Sequence, residues 1–197
     1  NQAYTASQLP VGGGSGGHGA LAQISNRPYR LLGEPINTSA NGTTRSVYFS
    51  FLYRTPLDPT GGDFLVGFGD SGNSVIAGAG LRNVSGAWNG RALITGSNGT
   101  LTNIPQTHDT TPGNFATDTT YFVVARLDIN PAGNEAIYAW FFTAAVPSTE
   151  PSTSSAARTT GRNIETAALD RIVLSTSATN TTPSFLLDEL RIGPTWS

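Results

Sequence analysis

Residues 121–129 (YFVVARLDI) and 136–142 (AIYAWFF) alternate in a period of two, and only the short turn-forming run NPAGNE separates them. That pattern restricts the chain more than any other. Side chains on a strand alternate between faces, so two such arms around a tight turn read as an antiparallel hairpin with one buried face. Tyr121, Val123, Ala125, Leu127 and Ile129 fall on one face with Ile137, Ala139 and Phe141. Phe122, Val124, Arg126 and Asp128 fall on the other with Tyr138, Trp140 and Phe142. Residues 47–54 (VYFSFLYR) repeat the pattern, with Val47, Phe49, Phe51 and Tyr53 inward and Tyr48, Ser50, Leu52 and Arg54 outward.

The rest of the chain follows the same rule. Strands are expected at 29–32, 64–68, 74–79, 91–95, 169–175 and 185–192, with turns at DPTGGD, GDSGN and SGAWNG. Residues 98–120 are mostly turn formers, and 146–162 (VPSTEPSTSSAARTTGR) read as a surface loop or a short helix. The Gly-rich opening, 1–20, has the composition of a flexible leader, with ordered structure the favoured alternative. Twenty-six Thr, 23 Gly and 12 Pro favour pleated surfaces punctuated by turns, and no helical period of useful length occurs. The expected fold is all-β: a single domain, residues 1–197, built as a two-sheet antiparallel jelly-roll sandwich of ten to thirteen strands.

Charge excludes several functions. Net charge is −2, and all eleven cations are Arg, scattered without a cluster, which leaves no basic footprint for nucleic acid or an anionic membrane. Absence of Cys removes disulfides and a thiol nucleophile, and absence of Lys removes a Walker-type phosphate loop and Schiff-base chemistry. Only 12% of residues are charged, so the surface is neutral and polar.

SFLLDELRIGPTWS at 184–197, taken with VYFSFLYR, TTYFVVARLDIN, AGNEAIYAW and LDRIVLS, resembles concanavalin A-like, laminin-G-like jelly-roll domains of secreted bacterial proteins. The resemblance implies an extracellular or cell-surface setting, kinship of fold with lectins and glucanases, and no particular reaction.

Three constellations bear on chemistry. GDSGN around Ser71 superficially matches two serine-hydrolase motifs, but His18 (GGHGA) and His108 (THD) lie in neither partner setting, so it reads as a hairpin turn. Jelly-roll glucanases carry Glu-x-Asp-x-x-Glu on one strand, which this chain lacks; adjacent Asp188 and Glu189 point to opposite faces. The family resemblance makes Asp188 a candidate ligand of a structural Ca²⁺ completed by oxygens of the first loops, against a plain bond to Arg191 or a loop amide. The third is an aromatic platform of Tyr138 and Trp140 flanked by Arg126, with Tyr48 and Arg54 near it, against the alternative that residues 146–162 cover that face. Trp88, between Gly-rich neighbours, is a separate loop candidate, and Trp196 reads as a plug sealing the sandwich end.

The expected function is a non-catalytic, extracellular carbohydrate-binding module for a neutral polysaccharide or glycan. The alternatives are a structural or adhesive surface subunit that self-assembles through strand edges, and a polysaccharide hydrolase or lyase on the same fold.

Overall fold

The computed structural model describes residues 19–21, 27–38, 43–54, 63–84, 87–95, 115–130, 134–164, 168–176 and 185–196. Within them the chain forms eleven strands: β1 (Gly19–Leu21), β2 (Tyr29–Asn37), β3 (Arg45–Arg54), β4 (Asp63–Gly69), β5 (Val75–Val84), β6 (Ala87–Ile94), β7 (Thr120–Ile129), β8 (Glu135–Phe142), β9 (Ala157–Arg162), β10 (Ala168–Thr176) and β11 (Phe185–Gly193). They build a six-stranded sheet A in the order β1-β11-β3-β7-β8-β9 and a five-stranded sheet B in the order β2-β10-β4-β5-β6, with every pairing antiparallel. The first four strands alternate between the sheets and the last two return beside them, β10 against β2 and β11 against β3. This is the wrapping of a jelly-roll sandwich.

The core between the sheets is what the alternation specifies. Phe49, Phe51 and Tyr53 of β3 are at most 1% exposed and meet Phe64 and Phe68 of β4 across the sandwich. Val123, Ala125, Leu127 and Ile129 of β7 and Ile137 and Ala139 of β8 complete the same cluster. Gly90 of β6 admits the Phe141 ring from the facing sheet, because a Cβ there would stand 2.6 Å from Phe141 Cε2. On the far face of sheet B, Leu65, Val75, Leu93 and Val173 form a second, smaller buried cluster beside Tyr29.

The two flanks of the sandwich differ. On one, Thr159 Oγ1 of β9 donates to the Ala92 carbonyl of β6 at 2.7 Å, tying the sheet edges together. On the other, β2 ends sheet B, and β1 covers β11 only at residues 185–187. An apolar groove of about 430 Å³ lies there, lined by Leu31, Leu32, Ile36, Val47, Leu190 and Ile192, among others.

Several sequence expectations need correction. Residues 87–90 are strand rather than loop, and Trp88 sits in the core at 1% exposure. Residues 146–162 are a loop only at first: a 3₁₀ turn at Thr153–Ser155, capped by the Ser152 hydroxyl, leads into β9. The Ser and Pro content hides β9 from a periodicity reading, because only Ala157 and Thr159 of its six residues are buried. The Asp70–Asn73 segment is the expected hairpin turn, closed by an Asn73 N–H to Asp70 O bond of 2.9 Å, with Asn73 at φ 55° and Ser71 exposed. Residues 1–18 and 96–114, with both histidines, lie outside the described residues. No helix among the described residues is long and apolar enough to cross a membrane.

Candidate functional site

The outward face of sheet A carries the functional candidates, and pairing register aligns them. Tyr48 of β3 stands opposite Arg126 of β7, which stands opposite Tyr138 of β8, which stands opposite Arg158 of β9. One step along, Ser50, Val124 and Trp140 form a parallel row. Tyr48, Arg126, Tyr138 and Trp140 are thus brought together as the alternation predicts, but their state differs from an open platform.

Arg126 is the hub. Its guanidinium lies 4.7 Å from the Tyr138 ring centroid and 6.0 Å from that of Trp140. Its Nη2 donates to Asp128 Oδ2 at 2.9 Å, and its Nη1 pairs with Glu150. Burial works against the Arg126 charge, yet the pairs with Asp128 and Glu150 prevail and hold its pKa above the ordinary value. Glu150 Oε2 also accepts the Tyr48 hydroxyl at 2.8 Å. Burial, then the hydrogen bond to Glu150, raises the Tyr48 pKa above 10.0. Ser46 Oγ donates to Asp128 Oδ1 at 2.7 Å and extends the network along β3.

Glu150 belongs to the segment after β8, and this segment lies across the face. Trp140 Nε1 donates to the Ser152 carbonyl at 3.3 Å, and Trp140 is left 3% exposed. The chain end closes over the other side: Trp196 Nε1 donates to Pro147 O at 3.0 Å, and its ring stands edge-on to Trp140 at 5.3 Å, Tyr48 at 6.4 Å and Phe142 at 6.2 Å. Trp196 is therefore no plug between the sheets; it packs on the outside of sheet A. The covering alternative holds for Trp140, which cannot offer a ring face to a ligand, while Tyr138 and Tyr48 remain half-buried. Trp88 is likewise unavailable, since core packing accounts for it.

What stays open is a cavity of about 430 Å³ between sheet A, the strap at 146–148 and the chain end at 193–196. Tyr48, Phe122 and Trp196 supply ring surface to it, and Ser50, Ser148 and Arg191 supply polar groups. No carboxylate is among its described lining residues. Sequence reasoning picks only Tyr48 of this set as a ligand contact. The outward positions of Ser50 and Phe122 are readable from alternation, but nothing local in the sequence says that Trp196 folds back onto β3 and β8.

Arg54 stands apart. It lies at the far end of β3, opposite Thr120, and its Nη2 pairs with Asp118 at 2.8 Å in the open, so it does not join the site.

The acidic pair of β11 forms a bulge. Asp188 opposes Leu52 and Arg191 opposes Ser50, so three steps on β11 match two on β3, and Glu189 takes φ 54°. The extra residue lets Leu187 and Leu190 both pack on the core while Asp188 and Arg191 stay outside. Asp188 Oδ1 accepts the Glu189 amide at 2.8 Å, and Glu189 pairs with Arg191 at 2.7 Å. Calcium takes six to eight oxygens, backbone carbonyls included; among the described residues no three acidic or His side chains converge, and Asp188 is engaged by its own strand.

No family model matches the chain, and no curated protein matches it. Among solved structures, the chain is similar to a single mutant of congerin II, at 13% identity and TM-score 0.45 over 85% of this chain and 99% of that one. A tetrameric galectin from the ball sponge Cinachyrella sp. matches at 10% identity and TM-score 0.40 over 83% and 98% of the two chains. A protein of unknown function from Shewanella oneidensis MR-1 matches at 13% identity and TM-score 0.29 over 91% and 81%. At such identities and scores these likenesses carry nothing about ligand or reaction.

Proposed function

We propose that the protein is a non-catalytic carbohydrate-binding module acting outside the cell, and that it holds one or two rings of a neutral glycan in the cavity on the outer face of sheet A. The observation that carries this reading is the lining of that cavity: Tyr48, Phe122 and Trp196 with Ser50, Ser148 and Arg191 around about 430 Å³. Sugar rings present a flat C–H face that stacks on aromatic side chains, and their hydroxyls bond to Ser, Arg and backbone groups. The volume falls in the range of small-ligand sites, roughly 300–1,000 Å³. Arg191, the one charged residue among the described lining, is paired with Glu189 outside the cavity, which partly offsets its charge.

The test is a glycan array together with a pull-down on insoluble neutral polysaccharides, followed by titration of the best oligosaccharide into the wild type and Trp196→Ala. Retention with a weakened variant is expected. Failure of every neutral glycan to bind contradicts the reading and moves a structural or adhesive surface subunit ahead of it, which the open flank at β2 favours independently.

A further inference from the structure

β2 stands at the edge of sheet B, with β10 its one neighbour there. Pro28 O accepts from Leu174 N at 2.9 Å, which fixes residue 28 and its even-numbered neighbour Arg30 toward β10 and turns the backbone groups of Tyr29 and Leu31 the other way. Past Leu31 the register with β10 breaks, five steps on β2 (Leu31 to Ile36) matching two on β10, so residues 32–35 have no registered partner on β10. An edge strand of this kind is a template for another strand unless its side chains forbid it. Here they do not: Leu31 is 59% exposed, Ile192 beside it in the same groove is 43% exposed, and Arg30 and Glu34 are exposed, with no ion pair among the described residues.

The spacing of these residues is self-complementary. In an antiparallel two-fold pairing centred on Leu32, residue 30 opposes residue 34 of the other copy and residue 31 opposes residue 33. Each Arg30 then faces a Glu34, twice across the dyad. Each Leu31 faces Gly33, where even an added Cβ would meet nothing within 4 Å, so the leucine has room to seat. Leu32, on the dyad, is anchored to the core of its own copy. Pro35, which has no N–H to donate, falls at the end of the paired stretch opposite Tyr29.

We infer that the protein forms a symmetric dimer through antiparallel pairing of β2 with β2 of a second copy, joining the two five-stranded sheets into one. Opposite-charge cross-strand pairs help and like-charge pairs hinder, so the charges specify register as well as affinity.

Sedimentation and light scattering of the full chain, from micromolar to near-millimolar concentration, read this directly. The wild type should dimerise reversibly. R30E and E34R each place like charges opposite one another twice, and each should raise the dimer Kd about tenfold. An equimolar mixture of R30E and E34R makes both cross-strand pairs opposite in sign again and should recover wild-type association as a heterodimer, which also shows both variants to be folded. A wild type that stays monomeric throughout overturns the inference. So does a dimer indifferent to either substitution, which would assign association to another surface, and so does a mixture that associates no better than its components.

Discussion

Two sets of aromatic side chains, one from β3 and β4 and the other from β3, β8 and the chain end, do different work. The inner set, with Phe49, Phe51, Tyr53, Phe64 and Phe68, is sealed between the sheets and packs ring against ring. The outer set, with Tyr48, Tyr138, Trp140 and Trp196, sits one residue out of phase and has a polar partner for nearly every ring: Glu150 for Tyr48, Arg126 for Tyr138, the Ser152 carbonyl for Trp140, the Pro147 carbonyl for Trp196. Apolar packing needs only volume and tolerates no water, whereas a surface that is to meet a ligand keeps its rings oriented by directional bonds and leaves part of them wet. The difference teaches that alternation along β3 and β8 separates a fold-making face from an outer face whose rings are held by directional bonds.

Substitutions should separate the two sets, in descending order of effect. Phe51→Ala removes a fully buried ring from the centre of the core and should cost about 3–5 kcal/mol in denaturant unfolding. Trp140→Ala, although on the outer face, should cost nearly as much, about 3 kcal/mol, because the strap and Trp196 bury it. A Trp140→Ala protein as stable as the wild type would place that residue with the wet set instead. Glu150→Gln keeps the shape but removes the charge that holds Arg126 and Tyr48 to the strap, and should cost about 1–2 kcal/mol and loosen the strap, read as faster amide exchange at residues 146–152.

Alkaline pH gives the smallest and most selective contrast. Burial raises the Tyr53 pKa well above 10.0, and burial with Glu150 raises that of Tyr48. Folded values above unfolded ones mean stability that is intact below pH 10.0 and falls as pH climbs through the folded values. Tyr53→Phe should flatten most of that fall and Tyr48→Phe only a little, so the reverse ranking would contradict the assignment of one tyrosine to each set.

The sequence reads well where one physical rule acts alone. Alternation places β3, β7 and β8 and sorts their side chains to the correct faces, because a half-buried strand has no other way to bury its apolar residues. It fails at Trp88, where Ala, Asn and Gly neighbours mimic a loop although backbone pairing with β5 makes a strand. It fails at β9, whose buried side chains are an Ala and a Thr. At β11 strict alternation sets Asp188 and Glu189 on opposite faces, but a bulge with Glu189 in a left-handed conformation accommodates the pair, and no period announces it. The site was legible as far as the outward row Tyr48, Arg126 and Tyr138. The strap and the return of Trp196 are long-range contacts, 102 residues apart for Tyr48 and Glu150 and 49 for Trp196 and Pro147, and a local pattern carries no record of such contacts.

The proposed binding face can be interrogated without a structure of a complex. Of the three tryptophans, Trp88 and Trp140 are 1% and 3% exposed, so Trp196 alone combines partial exposure with a place on the cavity wall. Tryptophan emission followed during titration with the neutral oligosaccharide best retained by the protein therefore tests the glycan-binding claim most directly. The account predicts a saturable spectral shift in the wild type that disappears in Trp196→Phe, with affinity weakened in Trp196→Ala by about 1–3 kcal/mol. A shift that persists in Trp196→Phe, or an affinity unchanged in Trp196→Ala, would contradict it.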